Sequence, residues 1–480
     1  MNIIKQCLKH IVANFCSVVL LLLSVCTSLM AAEGVELREE LERYRLQIES
    51  LESQFGPYHQ SLLEPLERIS AIRHEQGDYE GVADVQSRQL QLMRTTLGFE
   101  HLGLIPQLRS MIANQMLLAN WEEISDQLEH IRHIQASSNN DDPEALLEAI
   151  DDQAFWYLSR AYLDEKEYRV RDFFKARGLY EEMEDLAVAT YGEDSPEIIP
   201  LLYKQAYNNF QLVQFLNASD GIGSKSVDRL ALEDGMSKLQ DYGANVLDVD
   251  ALFGIGANIP VVRKNSHNDD SRIGKPYLQD GYYLIARIEN INKASADVEA
   301  EAMAKIYRAD FQYLQNKGIG IRNYRDAIKL LVQAGVDEEK INTFFSRPAM
   351  IPVNKFFHRL DDALAYQQEN SNQIEQFVDG QIHLGVFTAW SEALDSTPKP
   401  VSLAPRWQLD IAHSQAELSF SVNSRGNVSS VRVIESTPDE RDVQRRARRA
   451  LRDIQFRPAV INGRGKRVKD VHIIYRFIEE

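Results

Sequence analysis

The stretch AELSFSVNSRGNVSSVRVIE, residues 416–435, sets the interpretation of the whole chain. Apolar and polar side chains alternate over 416–422, and this two-residue period predicts a half-buried β-strand. Residues 423–427 predict a turn in which Gly426 adopts a positive φ angle. The alternation returns over 428–435, so we expect a second strand that forms a hairpin with the first.

A helix and a final strand follow this hairpin. Thr437 and Pro438 predict the N-cap and first position of the helix, and Glu440 can close a capping box. Apolar side chains then recur at helical spacing, at Val443, Ala447, Ala450, Leu451 and Ile454. Residues 468–478 alternate again. The order strand, strand, helix, strand predicts one helix packed on a small antiparallel sheet.

Residues 406–480 resemble the C-terminal domain of TonB-type energy transducers. The residues that carry the resemblance are Gly426, Val428, Val431, Val433, Ala447, Ala450, Phe456-Arg457-Pro458, and Gly463 or Gly465. The resemblance implies a periplasmic binding module without catalytic residues. It also implies that an extended peptide of an outer-membrane receptor would pair with an edge strand of this module.

The last strand, Val468–Ile478, is the candidate for that edge, because no later strand follows it in the sequence. His472, Ile474 and Arg476 would point away from the helix and contact the partner. The residues that alternate with them would face the helix: Val471, Ile473, Tyr475 and Phe477. The alternative is that another part of this chain, or a second copy, covers the edge.

The helix carries a second candidate surface. Arg445, Arg446, Arg448, Arg449 and Arg452 cluster within two turns. Such a cluster is either a solvated helix face or a surface that meets an acidic partner, an anionic lipid or a cell-wall polymer. We include Arg445, Arg448, Arg449 and Arg452 among the candidate partner-binding residues.

Residues 36–215 show an internal repeat of helical hairpins with an offset of 42 residues. The offset relates three pairs of residues in particular: His59 to His101, Leu62 to Leu104, and Leu66 to Leu108. A third copy begins at Tyr191-Gly192, where Ile198, Ile199 and Leu202 take the places of Leu104, Ile105 and Leu108. Because the histidines recur with the repeat, we expect them to have a structural role in the loop before each helix.

These units resemble tetratricopeptide (TPR) repeats of the 42-residue kind. The resemblance implies a helical solenoid whose concave groove commonly binds peptides or other proteins. The alternative is a helical spacer without a ligand. A further helical, partly repeat-like region is expected over 216–395. The prolines of residues 396–405 predict a stiff linker into the 406–480 domain. The expected fold class is mostly α, a TPR-like solenoid followed by a small α+β domain of ββαβ order.

Residues 1–32 predict a signal peptide, with basic residues before an apolar run and the small residues Ala31-Ala32 before Glu33. The alternative is an uncleaved membrane anchor over residues 11–32. Cys7, Cys16 and Cys26 are the chain's three cysteines. Cleavage would therefore leave a mature protein without a thiol, which excludes disulfides and thiolate metal sites.

The remaining signals point away from catalysis. Residues 401–480 carry 15 Lys and Arg against 10 Asp and Glu, in a chain of net charge −18. This balance argues against nucleic-acid binding. The sequence has no P-loop, no zinc-protease His-Glu motif and no Gly-x-Ser-x-Gly elbow. His130 and His133 could share a metal on one helix, but no third ligand stands at supporting spacing, so a solvated helix face is the favoured interpretation.

We therefore expect no catalytic residues, no metal and no cofactor. The sequence favours a periplasmic adaptor of a Gram-negative-type envelope that binds protein partners. One alternative is a TonB-type transducer anchored in the inner membrane that supports outer-membrane transport, although a Pro-rich spacer is missing. A second alternative is an envelope enzyme with an unrecognised site.

Overall fold

The structure is a computed structural model that describes residues 37–137, 142–163, 169–218, 275–315, 320–372, 381–389 and 413–478. The expected signal peptide or anchor and the linker at 396–405 lie outside these residues, as does the whole stretch 219–274. The chain divides into two compact units, Met1–Asp141 and Asp142–Glu480. None of the described helices has both the length and the apolar character that crossing a bilayer requires.

The first unit is built of helix hairpins. Its helices are α1 (37–55), α2 (Leu63–Glu75), α3 (Tyr79–Leu97), α4 (Ile105–Leu117) and α5 (Trp121–Ser137). Single turns of 3₁₀-helix, Gln60–Leu62 and Leu102–Leu104, lead into α2 and α4. The starts of α2 and α4 are 42 residues apart, as the repeat predicted.

Matched positions of the two repeats have matched environments. Leu62 and Leu104 are completely buried, and Leu66 and Leu108 are nearly so. The Nδ1 atom of His59 accepts a hydrogen bond from the Ser61 amide, and His101 caps the Gly103 amide in the same way. The structural role expected for these histidines is therefore confirmed, and so are the TPR-like helical repeats.

The second unit begins with more helices. These are α6 (Pro143–Leu163), α7 (Arg169–Tyr191), α8 (Ile199–Ala218), α9 (Lys275–Ala294), α10 (Val298–Leu314), α11 (Gly320–Gln333), α12 (Glu338–Ser346) and α13 (Leu360–Asn372). Sequence neighbours from α6 to α11 pack against each other. Ile198, Ile199 and Leu202 are completely buried, which confirms the third copy of the repeat. The mostly α fold class is confirmed.

A small sheet and one helix complete the second unit. The elements are β1 (Ala349–Met350), β2 (Ile382–Ala389), β3 (His413–Val422), β4 (Val428–Thr437), α14 (Arg441–Asp453), β5 (Phe456–Arg457), β6 (Ala459–Ile461), β7 (Arg464–Lys466) and β8 (Val468–Ile478). The main sheet has the order β2-β8-β3-β4. Strand β3 is antiparallel to both of its neighbours, and β2 runs parallel to β8. We call β2, β3, β4, α14, β5 and β8 the sheet module.

The core of the sheet module lies between the sheet and α14. Leu418, Phe420, Ile473, Tyr475 and Leu451 are buried in one cluster, as the alternation and the helical stripe predicted. Burial of one face by the helix explains why the sequence shows period two in the strands and an apolar stripe in α14.

The structure corrects the start of α14. The predicted N-cap, Thr437, remains in the β3–β4 ladder opposite Gln415. The helix therefore begins later, at Arg441, with Glu440 as its N-cap. Strand β4 stays paired with β3 as far as Thr437, the residue predicted to cap the helix. The helix is therefore shorter than the sequence indicated.

The structure also corrects the position of the last strand. β8 is not at an edge, because β2 pairs with it from Ile382↔Val471 to Ala389↔Phe477. Residues 382–389 lie in the region 216–395, for which the sequence predicts helices, but they form a strand that belongs to the sheet module. The prediction failed because a strand that precedes the linker pairs beside the final one.

Candidate partner-binding surfaces

The β3–β4 turn is fixed to the end of α14. The Asn423 Oδ1 atom accepts hydrogen bonds from the amides of Arg425 and Asn427 at 2.8 and 3.1 Å. Gly426 has a φ of 80°, and a Cβ atom there would lie 1.9 Å from the Phe456 carbonyl oxygen. The Phe456 amide in turn donates to the Gly426 carbonyl. This position therefore requires glycine for both its φ angle and its space.

A buried ion pair joins the residues after α14 to the helices of the second unit. Arg457 on β5 is 2% exposed and Asp310 on α10 is 0% exposed. Arg457 Nε donates to Asp310 Oδ1 at 2.9 Å, and Nη2 donates to Oδ2. The Tyr324 hydroxyl donates to the same carboxylate, and the guanidinium carbon lies 4.9 Å from the Phe344 ring centre. Arg457 in the Phe-Arg-Pro motif thus anchors the sheet module to α10, α11 and α12.

Electrostatics at this ion pair follow from the burial. Desolvation alone would lower the pKa of Arg457, but the charge of Asp310 and its hydrogen bonds raise that pKa above the ordinary value. Burial, followed by the charge of Asp310, raises the pKa of Tyr324 well above its ordinary value. Arg457 is therefore charged, and Tyr324 is a neutral donor, at any pH near neutrality.

Backbone pairing reinforces the same junction. β1 and β5 pair in antiparallel fashion, with Ala349 opposite Arg457. The Ile351 amide donates to the Gln455 carbonyl at 3.1 Å, and the Tyr307 hydroxyl donates to the Lys355 carbonyl at 2.9 Å. The segment that follows α12 is therefore held between α10 and the sheet module.

The three β8 residues predicted to contact a partner lie on the face away from α14, as expected, but within the sheet. His472 is 6% exposed, and its Nδ1 atom lies 3.0 Å from Glu417 Oε1. Ile474 pairs with Val386 of β2, and Arg476 donates to the Gln415 side chain at 3.4 Å. Since β2 occupies the hydrogen-bonding edge of β8, a partner strand cannot pair there in this arrangement.

The outer edge of β2 is itself partly covered. Arg347 Nη2 and Ser371 Oγ both donate to the His383 carbonyl at 2.7 Å. Gly385 has a φ of 105°, and a Cβ atom there would lie 2.7 Å from the Asn370 carbonyl, so α13 packs closely on this strand. The β-branched and aromatic residues of 382–388 were the signal that could have identified this strand in the sequence.

At the other side of the sheet, β4 pairs only with β3 among the described strands. The β3–β4 register shifts twice, and Ser430 has a φ of 58°. Ile434, at one of these irregular positions, is 56% exposed. Bulges of this kind are a common way in which proteins protect an edge strand from further pairing. The sheet therefore offers no regular, uncovered edge in the described part of the chain.

The arginines of α14 form the second predicted surface, and here the structure agrees with the helical pattern. Five arginines are exposed, namely Arg441, Arg445, Arg448, Arg449 and Arg452. At 3.6 residues per turn they lie within an arc of about 100°. The buried residues Val443, Ala447 and Ala450 lie on the opposite side of the helix. Binding by this face remains a prediction.

The charge of this surface is poorly balanced. Asp442 pairs with Arg445 at 2.6 Å and with Arg446 at 3.4 Å. Within the described part of the chain, Arg448, Arg449 and Arg452 have no ion-pair partner. The outward arginines include three like-charged pairs at i,i+4 spacing, which together destabilise a helix by about 1 kcal/mol before screening by salt. The surface thus costs stability in the isolated protein.

The first unit presents a third surface, which sequence reasoning missed. The helix ends and turns that precede α2 and α4 expose large apolar side chains at Phe55, Tyr58, Leu97, Phe99 and Leu102. Phe55 and Leu97 occupy equivalent positions, 42 residues apart. The 42-residue repeat was the signal that could have identified this surface, because it places apolar residues beside a polar turn in both copies.

His130 and His133 are held by protein partners rather than arranged for a metal. His130 Nδ1 accepts from Arg94 at 3.0 Å, and Nε2 donates to the Phe99 carbonyl at 3.0 Å. His133 Nε2 lies 3.3 Å from Glu100 Oε1. No group of three or more His, Cys, Asp or Glu residues in the described ranges is placed to hold a metal ion.

Comparisons with known proteins give only remote similarities. No family model matches the chain, and no curated protein matches its sequence. Two crystal structures of nearly identical TPR-like repeats, from a Podosopora anserina protein assigned as a kinesin light chain, cover 38% of this chain and 80% of theirs. Their identities are 16% and 15%, each with a TM-score of 0.27.

A third solved structure, BtubC (BKLC) from P. vanneervenii, covers 63% of this chain and 90% of that one, at 12% identity and a TM-score of 0.23. Similarity at this level carries no argument about function. The assignment of TPR-like repeats therefore depends on the matched bounds, caps and buried positions described above.

Proposed function

We propose that the chain is a non-enzymatic, protein-binding adaptor of a Gram-negative-type cell envelope, located in the periplasm. The observation that carries this proposal is the recurrence of exposed apolar side chains at the ends of consecutive repeats in the first unit. Phe99 is 67% exposed, and Phe55 is 55% exposed. Exposed aromatic side chains grouped on one surface are typical of protein interaction sites.

Both aromatic residues make contacts within the first unit. The Phe55 ring stacks on His59, the residue that caps the following 3₁₀ turn, at 4.8 Å between ring centres. The Arg94 guanidinium carbon lies 5.5 Å from the centre of the Phe99 ring, and the Phe99 carbonyl accepts from His130. Contacts of this kind reduce the side-chain freedom that is lost when a partner binds.

The TonB-like resemblance of 406–480 gives the adaptor its second binding module. The module is proposed to bind envelope proteins, such as an extended segment of an outer-membrane receptor. Strand addition along β8 would require β2 to leave, because β2 pairs with that edge. The periplasmic location depends on residues 1–32, which lie outside the described residues.

Site-specific photocrosslinking tests the role of the first unit. A photoreactive phenylalanine analogue is placed at Phe55 or at Phe99, and at the exposed Ser87 on α3 as a control. We expect both loop positions to crosslink the same envelope protein in living cells, and Ser87 to crosslink it much less. Equal crosslinking from all three positions, or none from either loop, would contradict the proposal.

The mature N-terminus separates the adaptor from the transducer. The intact mass of the purified native protein is expected to correspond to a chain that begins near Glu33. A mass that includes residues 11–32 would favour the inner-membrane transducer instead, because such a protein needs its anchor.

A further inference from the structure

The outward face of α14 differs from every surface that the proposed adaptor function uses. It consists of Arg441, Arg445, Arg448, Arg449 and Arg452, which we call the arginine face. Its charge is concentrated in a chain that is otherwise strongly acidic, since residues 401–480 hold 15 of the 53 Lys and Arg but only 10 of the 71 Asp and Glu. An anionic surface would therefore attract this end of the protein and repel the rest.

The arginine face is preformed. All four apolar residues of α14, Val443, Ala447, Ala450 and Leu451, are buried against the sheet. The exit from the helix is fixed by the buried pair of Arg457 and Asp310. Binding does not have to fold this helix, so the backbone positions that carry the arginines are already arranged along about three turns.

The chemistry of the face selects the kind of partner. The core of a protein–protein interface is poor in Lys, Asp and Glu, and its Arg side chains stand among apolar or aromatic anchors. The arginine face has no such anchors, because every apolar residue of α14 points to the core. A convex, wholly charged stripe without an apolar anchor instead suits a flat surface of many anionic groups.

We infer that the arginine face binds the phosphate groups of an anionic lipid bilayer and so orients the adaptor on a membrane surface. Guanidinium groups form bidentate hydrogen bonds to phosphate, and four of the five arginines have no ion-pair partner to give up within the described residues. This role is independent of the protein-binding surface of the first unit, and either one can fail without the other.

Vesicle binding by the full chain tests the inference. Partition is measured onto vesicles of phosphatidylglycerol and phosphatidylcholine in equal amounts, and onto pure phosphatidylcholine. The variant R448Q/R449Q/R452Q is compared with the wild type, and both retain the same N-terminal segment. We expect the variant to bind the anionic vesicles about 100-fold more weakly, and both proteins to bind neutral vesicles equally weakly. Raising the salt from about 0.1 M should weaken wild-type binding.

Two further variants make the result specific. K293Q/K329Q/K340Q removes the same charge from exposed helical positions of the second unit and should lose less than about threefold. R448K/R449K/R452K keeps the charge and should retain most of the binding while losing the bidentate contribution. A thermal melt confirms that each variant is folded.

Three outcomes would overturn the inference. The first is a glutamine variant that binds anionic vesicles within about threefold of the wild type. The second is an equal loss in K293Q/K329Q/K340Q, which would make the attraction a matter of net charge. The third is tighter binding of the wild type to soluble polyglutamate than to anionic vesicles at equal charge concentration, which would assign the arginine face to an acidic protein.

Discussion

Removal of the buried Arg457 side chain should open the junction between the sheet module and the helices. Arg457→Met keeps much of the side-chain volume but takes away both hydrogen bonds to Asp310. The Asp310 carboxylate is 0% exposed, so water cannot replace them. In this variant only the Tyr324 hydroxyl remains as a donor to that carboxylate among the contacts described above.

The size of the effect follows from this geometry. Removing one partner of a buried ion pair lowers the free energy of unfolding by about 3–5 kcal/mol, because the other charge stays buried without compensation. Asp310→Leu combined with Arg457→Met removes both charges, and such replacements are often neutral or stabilising. We therefore expect the double variant to recover most of the stability that the single variant loses.

A protein of more than one unit does not have a single free energy of unfolding. Native-state hydrogen exchange is therefore the appropriate assay, because it measures the opening free energy of each segment separately. Peptides that contain β5 and β8 should exchange faster in Arg457→Met. Arg445→Met is the matched control, since Arg445 is an exposed member of the same module and its pair with Asp442 contributes at most about 1 kcal/mol. A loss below about 1 kcal/mol in Arg457→Met, or a double variant as unstable as the single one, would refute the reasoning.

Three other outcomes are expected. Leu108→Ala in the first unit should destabilise it by about 2–5 kcal/mol in urea unfolding, and a change below about 0.5 kcal/mol would contradict the repeat register. A fragment of residues 406–480 lacks β2, which pairs with β8. In thermal melts followed by circular dichroism, it should be less stable than a fragment in which residues 381–389 are joined to it through a linker. Equal melting curves would contradict this. Burial, and then the nearby His472, lower the pKa of His383 below its ordinary value of 6.5. The unfolded chain therefore binds more protons near that pH, so the sheet module should lose stability as the pH falls below 6.5, and His383→Gln should reduce that loss.

Local patterns in the sequence determined much of this protein. The 42-residue offset identified α2 and α4 and their histidine caps, because a repeat reuses the same short-range spacing in each copy. The period-two alternation identified β3, β4 and β8, and the apolar stripe of α14 placed the arginines on the outward face. Each of these features depends on which residues lie within a few positions of one another, and that information is local.

Tertiary structure alone decided the surroundings of the final strand. β2 pairs with β8 across the predicted linker, and no local period specifies which distant strand will pair with an edge. Arg457 and Asp310 are 147 residues apart, and neither position carries a pattern that names the other. The β2–β8 pairing satisfies a backbone edge that would otherwise be unpaired, and the Arg457–Asp310 pair satisfies a buried charge. Both contacts form only when the helices and the sheet have come together.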